Sequence, residues 1–180
     1  PGLACKDGIY LDRRHVQKTN AANWEGGRRL LMNRSVQAAV IENGASVILG
    51  EGLAYDRCSV GIVTNIVSDE EDLSRWDTQP TGGEYYTTPR SIYRTQVDVV
   101  LPSGHAVLNA EDELVADFAE LCDGEVIFFA VDPANPTLLA HLAAGKRGVT
   151  VADKRVVLRS GADEIRLSRL VDAPYIGKAK

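Results

Sequence analysis

Two short apolar runs, each followed by a polar side chain, constrain this chain more than any other feature. Residues 38–41 lead to Glu42, and residues 60–63 lead to Asn65. Short β-rich runs that are separated by enough residues for a helix are typical of neighbouring strands in a parallel sheet. Ligands of open α/β sheets lie beyond the carboxyl ends of the strands, so we expect Glu42, Asn65 and the nearby Asp69 to lie at a functional edge.

The remaining pattern predicts an α/β fold with a mostly parallel sheet flanked by helices. Further strands are predicted at 106–109 and 125–130, and helices at 112–121 and 136–144. Earlier in the chain, a hairpin is predicted around Arg13-Arg14 and a helix capped by Asn23 with a weak point at Gly26-Gly27 that buries residues 30–32. Short strands at 149–167 predict a small antiparallel meander appended near the C-terminus. We therefore expect one domain over 1–180, with an α/β part (1–146), a β-rich part (147–170) and a tail (171–180).

Composition narrows the class of protein. The chain has 180 residues and a formal net charge of -5, which argues against binding to nucleic acid or to an anionic membrane surface. No apolar run approaches the length of about 20 residues that a membrane span requires. Three scattered cysteines suggest neither a disulfide framework nor a zinc site. The start of the chain has no signal-like pattern, so we expect a cytoplasmic protein.

Three blocks of sequence carry a resemblance to a known family. They are DGIY at 7–10, GEGLAYDRCSVGIVTNIVSD at 50–69 and AVLNAEDELV at 106–115. They resemble the central domain of the Mur ligase family, most closely the cyanophycin synthetases. The resemblance implies binding of ATP and magnesium, phosphorylation of a carboxylate to an acyl phosphate, and attack by an amine to form an amide. In the cyanophycin synthetases the product is a poly-aspartate backbone that carries arginine.

The resemblance also implies roles for five residues. Glu42 and Asp69 match metal-binding positions of the family, and Asn65, Asn109 and Asp112 match positions on the nucleotide side of the cleft. Each residue has a structural alternative. Glu42 could be a solvated strand end or a partner of a nearby arginine, and Asn109 with Asp112 could be an ordinary helix-capping arrangement. The matches leave the catalytic residues unassigned.

The chain also departs from the family pattern. It contains no GxxGKT or GKS phosphate loop, which in the family precedes the DGIY region. The family's Asp-His pair is Asp69-Glu70 here, and residues 89–95 lack the modified lysine of the family.

Two hypotheses follow from these departures. The first is a fragment of an ATP-dependent ligase that is inactive in isolation and works with the remaining domains of its parent chain. The second is a degenerate, non-catalytic binding or scaffolding domain. An exposed strand edge in either would favour a homodimer.

Overall fold

A computed structural model describes residues 1–66, 89–161 and 163–172. The described chain forms two compact units. The first contains Pro1–Arg57 with the described part of Val67–Thr95, and the second contains Cys58–Ile66 with the described part of Gln96–Lys180. The domain boundaries at 146 and 170 stay a prediction.

The first unit is built on a four-stranded sheet. Its elements are β1 (Gly2–Cys5), β2 (Gly8–Leu11), β3 (Arg14–Gln17), α1 (Trp24–Leu31), β4 (Ala39–Ile41) and α2 (Ala45–Gly50). The strand order is β3-β2-β1-β4, in which β1 pairs antiparallel with β2 and parallel with β4. The predicted hairpin is present as β2 and β3, whereas β1 has no counterpart among the predicted strands.

The glycine pair of α1, predicted as a weak point of the helix, also meets a packing requirement. Asn23 caps the helix as predicted, because its Oδ1 accepts a hydrogen bond from the Gly26 N–H at 2.8 Å. A Cβ atom on Gly26 would overlap the carbonyl oxygen of Ala21. On Gly27 it would lie 2.8 Å from the Cβ atom of Ala54. The two glycines therefore let the chain approach the helix closely.

Only one of the three residues predicted to point inward from α1 does so. Leu30 is buried in a cluster with Ala4, Ile9 and Ala21, whereas Leu31 and Met32 are exposed. Successive residues of an α-helix are rotated by about 100°, so three consecutive side chains cannot all face one core.

The second unit contains a six-stranded, mostly parallel sheet, which confirms the predicted fold class. Its elements are β5 (Cys58–Val63), the C-terminal end of α3 (Pro89–Asp98), β6 (Val100–Asn109), α4 (Glu113–Ala116), a 3₁₀ helix (Asp117–Leu121), β7 (Glu125–Phe129), α5 (Pro136–Ala143), β8 (Arg147–Ala152), β9 (Arg155–Ser160), β10 (Asp163–Arg169) and a short 3₁₀ turn (Leu170–Asp172). Strands β5 to β8 are parallel neighbours, and β9 and β10 continue the same sheet antiparallel.

Three sequence-based predictions need correction against this topology. The strands at 38–41 and 60–63 are not neighbours, because β4 lies in the first sheet beside β1 and β5 lies in the second beside β6. The C-terminal meander is not a separate small sheet, since β8 hydrogen-bonds to β7. The helix predicted over 112–121 changes from α4 to a 3₁₀ helix at Asp117.

The helices of the second unit lie on one face of its sheet. Two glycines on the same face of the sheet contact helices closely. Gly61 of β5 lies against the carbonyl of Gln96 in α3, and a Cβ atom on Gly148 of β8 would lie 2.5 Å from Leu138 of α5. Strands β5 to β8 follow one another across the sheet, so right-handed crossovers place the β6–β7 connection on the same side. We call this side the helix face. Its buried residues include Val63, Ala106, Leu108, Phe128, Thr150 and Val157.

Candidate functional site

The carboxyl ends of β5, β6 and β7 meet at one edge of the second sheet, which we call the carboxyl edge. Asn65 follows β5, Asn109 ends β6 and Asp112 caps α4. The parallel pairing of the strands brings these three predicted residues together, because parallel strands end on the same side of a sheet. This is the edge at which open α/β sheets bind their ligands.

Asn109 joins two strand-end loops. Its Nδ2 donates a hydrogen bond to the carbonyl oxygen of Thr64 at 2.8 Å, and its Oδ1 accepts from the N–H of Glu111 at 2.9 Å. Both ends of the amide therefore hold backbone, one after β5 and the other after β6. The side chain is positioned firmly, and a ligand would meet an amide that already has partners.

Asp112 caps a helix, which was the structural alternative to a role in nucleotide binding. Its Oδ1 accepts from the N–H groups of Leu114 at 3.0 Å and Val115 at 3.2 Å. Its Oδ2 accepts from the N–H of Ile66 at 3.0 Å. Three backbone donors thus share one carboxylate, which has capacity for about four.

Asn65 is the most exposed of the three residues. Its Oδ1 accepts a hydrogen bond from the Thr64 hydroxyl at 2.9 Å. The backbone carbonyl of the same Thr64 accepts a hydrogen bond from Asn109, so both asparagines hydrogen-bond to one residue. Asn65 is consequently the residue at this edge whose amide group is best placed to meet a ligand.

Two further residues, Glu111 and Asn135, hydrogen-bond between the loops of the carboxyl edge. The sequence analysis did not predict them there. Glu111 Oε1 accepts from the Asp132 N–H at 2.8 Å, which joins the loops after β6 and β7. Asn135 caps α5 and donates from Nδ2 to the Ala110 carbonyl oxygen at 3.1 Å. Asn135-Pro136 did signal a helix start, but nothing in the local sequence indicates the contact across the loops.

The structure places neither of the two predicted metal-binding residues at the carboxyl edge among the residues it describes. Glu42 follows β4 in the first unit, where its Oε2 accepts from the Lys6 N–H at 2.8 Å and so holds the β1–β2 turn. Its proposed structural partners Arg28 and Arg29 pair with Glu25 instead. Asp69 lies outside the described residues.

The described residues do not by themselves fit an ATP and magnesium site. Within residues 1–66, 89–161 and 163–172, no group of three or more His, Cys, Asp or Glu side chains could hold a metal ion. The sequence has no glycine-rich phosphate loop. A groove of about 390 Å³ between α5 and the β9–β10 hairpin lies near Arg159 and Glu164, at the opposite edge of the sheet. The carboxyl edge therefore supplies rigid loops and polar contacts but no complete site.

Curated relatives that this chain matches are named cyanophycin synthetases. The chain is 35% identical over 141 residues to a cyanophycin synthetase of Synechocystis, which covers 78% of this chain and 15% of that protein. It is 30% identical over 173 residues to the enzyme of Crocosphaera subtropica (96% and 19%) and 29% identical over 178 residues to that of Geminocystis herdmanii (99% and 20%). The chain thus spans a fifth or less of the length of these relatives. No protein-family model matches it.

None of the described helices has the length and apolar character that crossing a bilayer requires.

Proposed function

We propose that this chain is a segment of an ATP-dependent, amide-bond-forming ligase that resembles the cyanophycin synthetases. One observation carries the proposal: similarity to cyanophycin synthetases at 29% identity or more extends over as much as 99% of the chain. The resemblance to the Mur ligase central domain, noted from DGIY and NAED, agrees with it. The substrates that the resemblance implies are aspartate, arginine and the growing polymer. We propose that the protein acts in the cytoplasm.

The role we assign to the second unit is to position the nucleotide side of the site. Phosphoryl transfer to a carboxylate depends mainly on orientation and charge neutralisation. Bound ATP and magnesium would supply the phosphoryl group and the neutralising charge. Asn65, Asn109 and Asp112 would act through loops that the network of the carboxyl edge already holds. We assign Glu42 and Asp69 to the metal.

The remaining domains of the parent polypeptide are the partners that this proposal requires. A complete site needs a phosphate-binding loop, which this sequence does not contain, and a metal site, which the described residues do not form by themselves. The isolated chain is accordingly expected to be inactive.

The test compares the full-length polypeptide that contains this sequence with the isolated chain of 180 residues. Each is incubated with ATP, magnesium, aspartate, arginine and a short aspartate–arginine primer, and release of phosphate and formation of amide are measured. We expect acceptor-dependent ATP consumption by the full-length protein alone. Reactions without primer or amino acids provide the control. A full-length protein that forms no amide with any amino acid or peptide acceptor contradicts the proposal.

The alternative function is a non-catalytic binding or scaffolding domain. One specific observation favours it: Asn109 and Asp112 already use most of their polar atoms on backbone groups of the loops. The pair Asp69-Glu70, in place of the family's Asp-His, agrees with this reading. Calorimetric titration of the full-length protein with ATP and magnesium separates the two functions, since the scaffold is expected to show no binding heat.

A further inference from the structure

The face of the six-stranded sheet opposite the helix face is largely apolar. Residues that pair across neighbouring strands point to the same side of a sheet, so the strand registers identify the members of this face. We call it the open face, and its apolar residues include Val60, Ile62, Val107, Ile127, Phe129, Val149, Leu158 and Ile165. They extend from β5 at one edge of the sheet to β10 at the other.

The open face is exposed at its edge strands and half-buried over most of its central strands, where Ile127 is 9% exposed. Val60 and Ile62 of β5 are 49% and 54% exposed, and Ile165 of β10 is 58% exposed. On the helix face, Ala106 and Leu108 have no exposed surface. Covering a contiguous apolar face removes it from water and is therefore favourable, and large exposed apolar patches mark interaction sites.

Polar residues bound the open face at both ends of the parallel strands. At the amino end, Glu125 accepts hydrogen bonds from Arg147 Nε at 2.8 Å and Nη2 at 2.6 Å, and it lies 3.5 Å from His105 Nε2. At the carboxyl end, Asn109 shares the face with Phe129. The apolar strip between these ends carries no charge, so it matches a partner surface that is aliphatic and uncharged.

The architecture indicates which kind of element covers this face. Parallel strands are normally buried on both faces by helices, and in the described part of the second unit all the crossovers lie on the helix face. A second sheet would be a less usual cover for strands connected in this way. The expected occupant is therefore helical, with an apolar stripe at helical spacing.

We infer that the open face is a docking surface for an amphipathic helical segment from the remainder of the same ligase polypeptide. This inference rests on the proposed function. The length of the relatives supports this occupant. The chain spans only 15–20% of their length, so each relative contains further polypeptide that could supply the helix. The docked helix would lie against the strand that ends at Asn109, next to the carboxyl edge.

Photo-crosslinking in the full-length polypeptide tests the occupant directly. Ile62 is replaced by p-benzoylphenylalanine, and mass spectrometry identifies the peptide joined to it after irradiation. The matched control places the same photoreactive group at Leu139, which is 45% exposed on α5 on the other side of the sheet. We expect residue 62 to crosslink within one polypeptide to a segment outside the 180 residues. A crosslink that joins two copies, or labelling no greater than at the control position, overturns the inference.

A second variant measures the same contact by stability. In the full-length protein, Ile62→Lys is expected to lower the thermal midpoint because it buries a charge against the docked helix, whereas Leu139→Lys is expected to leave it unchanged. Neither variant should alter the midpoint of the isolated chain. Equal midpoints for the two full-length variants would contradict docking. Ligase activity of the same preparations is scored separately, so crosslinking without amide formation rejects only the proposed function, and amide formation without crosslinking rejects only the docking surface.

Discussion

The ionisation of a buried side chain in this protein depends mainly on what surrounds it, as His141 shows. His141 is 9% exposed in α5; its Nε2 lies 3.0 Å from the Val126 carbonyl oxygen, and its ring packs edge-on against Phe128. Burial lowers the pKa of His141, and the charge of Lys146 acts in the same direction. The Val126 carbonyl and Glu125 oppose this shift but do not reverse it. The buried imidazole is therefore neutral where an exposed histidine would begin to protonate.

The lowered pKa makes stability depend on pH. The unfolded chain binds a proton at His141 below about pH 6.5, while the folded chain still excludes it, so the free energy of unfolding should fall as the pH drops through this range. His141→Gln should flatten that part of the profile. Urea unfolding of both proteins from neutral pH to about pH 5 measures the difference. Parallel profiles for the two proteins would contradict the assignment.

At the scale of elements, the loops at the carboxyl edge are held by a few side chains that each bind several backbone groups. Asp112 alone caps α4 and fixes the loop after β5 through Ile66. In the first unit, Gly26 and Gly27 play the comparable role by allowing close approach of the chain to α1. Both devices can be tested by substitutions with matched controls.

Asp112→Ala should lower the free energy of unfolding by about 2 kcal/mol, because the helix loses its cap and the Ile66 N–H loses its acceptor. Asp112→Asn retains a capping oxygen and should lose about half as much. Urea unfolding measures both values. Glu120→Ala, at an exposed position of the following 3₁₀ helix, is the control and should change stability by less than about 0.5 kcal/mol. A loss for Asp112→Ala no larger than that of the control would show that the cap contributes nothing.

Gly27→Ala should destabilise the protein by about 1–3 kcal/mol, even though alanine favours helices, because the added methyl group would lie 2.8 Å from the Cβ atom of Ala54. The control is Gly44→Ala, where a Cβ atom would meet nothing within 4 Å. Its cost should be about 0.5 kcal/mol, from a poorer cap on α2. Thermal unfolding compares the two variants, and an unchanged or higher midpoint for Gly27→Ala would disprove the packing requirement.

For the whole molecule, the incomplete site leads to a prediction about ligand binding. Millimolar ATP with magnesium should leave the thermal midpoint of the isolated chain unchanged, since the described residues form neither a phosphate loop nor a metal site. The full-length ligase should be stabilised by the same ligand, because a ligand that binds only the folded state raises its midpoint. Equal stabilisation of both proteins would show that the site is contained within these 180 residues.

Local features of this protein were predictable from the sequence, and the pairing of distant segments was not. The caps at Asn23 and Asn135 and the α/β class follow from residue type and spacing, because capping and strand alternation are local effects. The bond from Asn109 to the Thr64 carbonyl joins residues 45 positions apart, and no short pattern encodes such a contact. Of the candidate site, Asn65, Asn109 and Asp112 were named from the sequence, but Glu42, expected at the same edge as Asn65, follows a strand of the other sheet.

The sequence by itself determined that the strands ending before Glu42 and Asn65 exist, where their polar ends fall, and which helices have capped starts. Only the tertiary structure decided that β4 pairs with β1 while β5 pairs with β6, which places Glu42 and Asn65 on two different sheets. The physical reason is that an apolar run with a polar end has the same pattern beside any partner strand. The choice of partner depends on hydrogen bonds and packing between segments far apart in the chain.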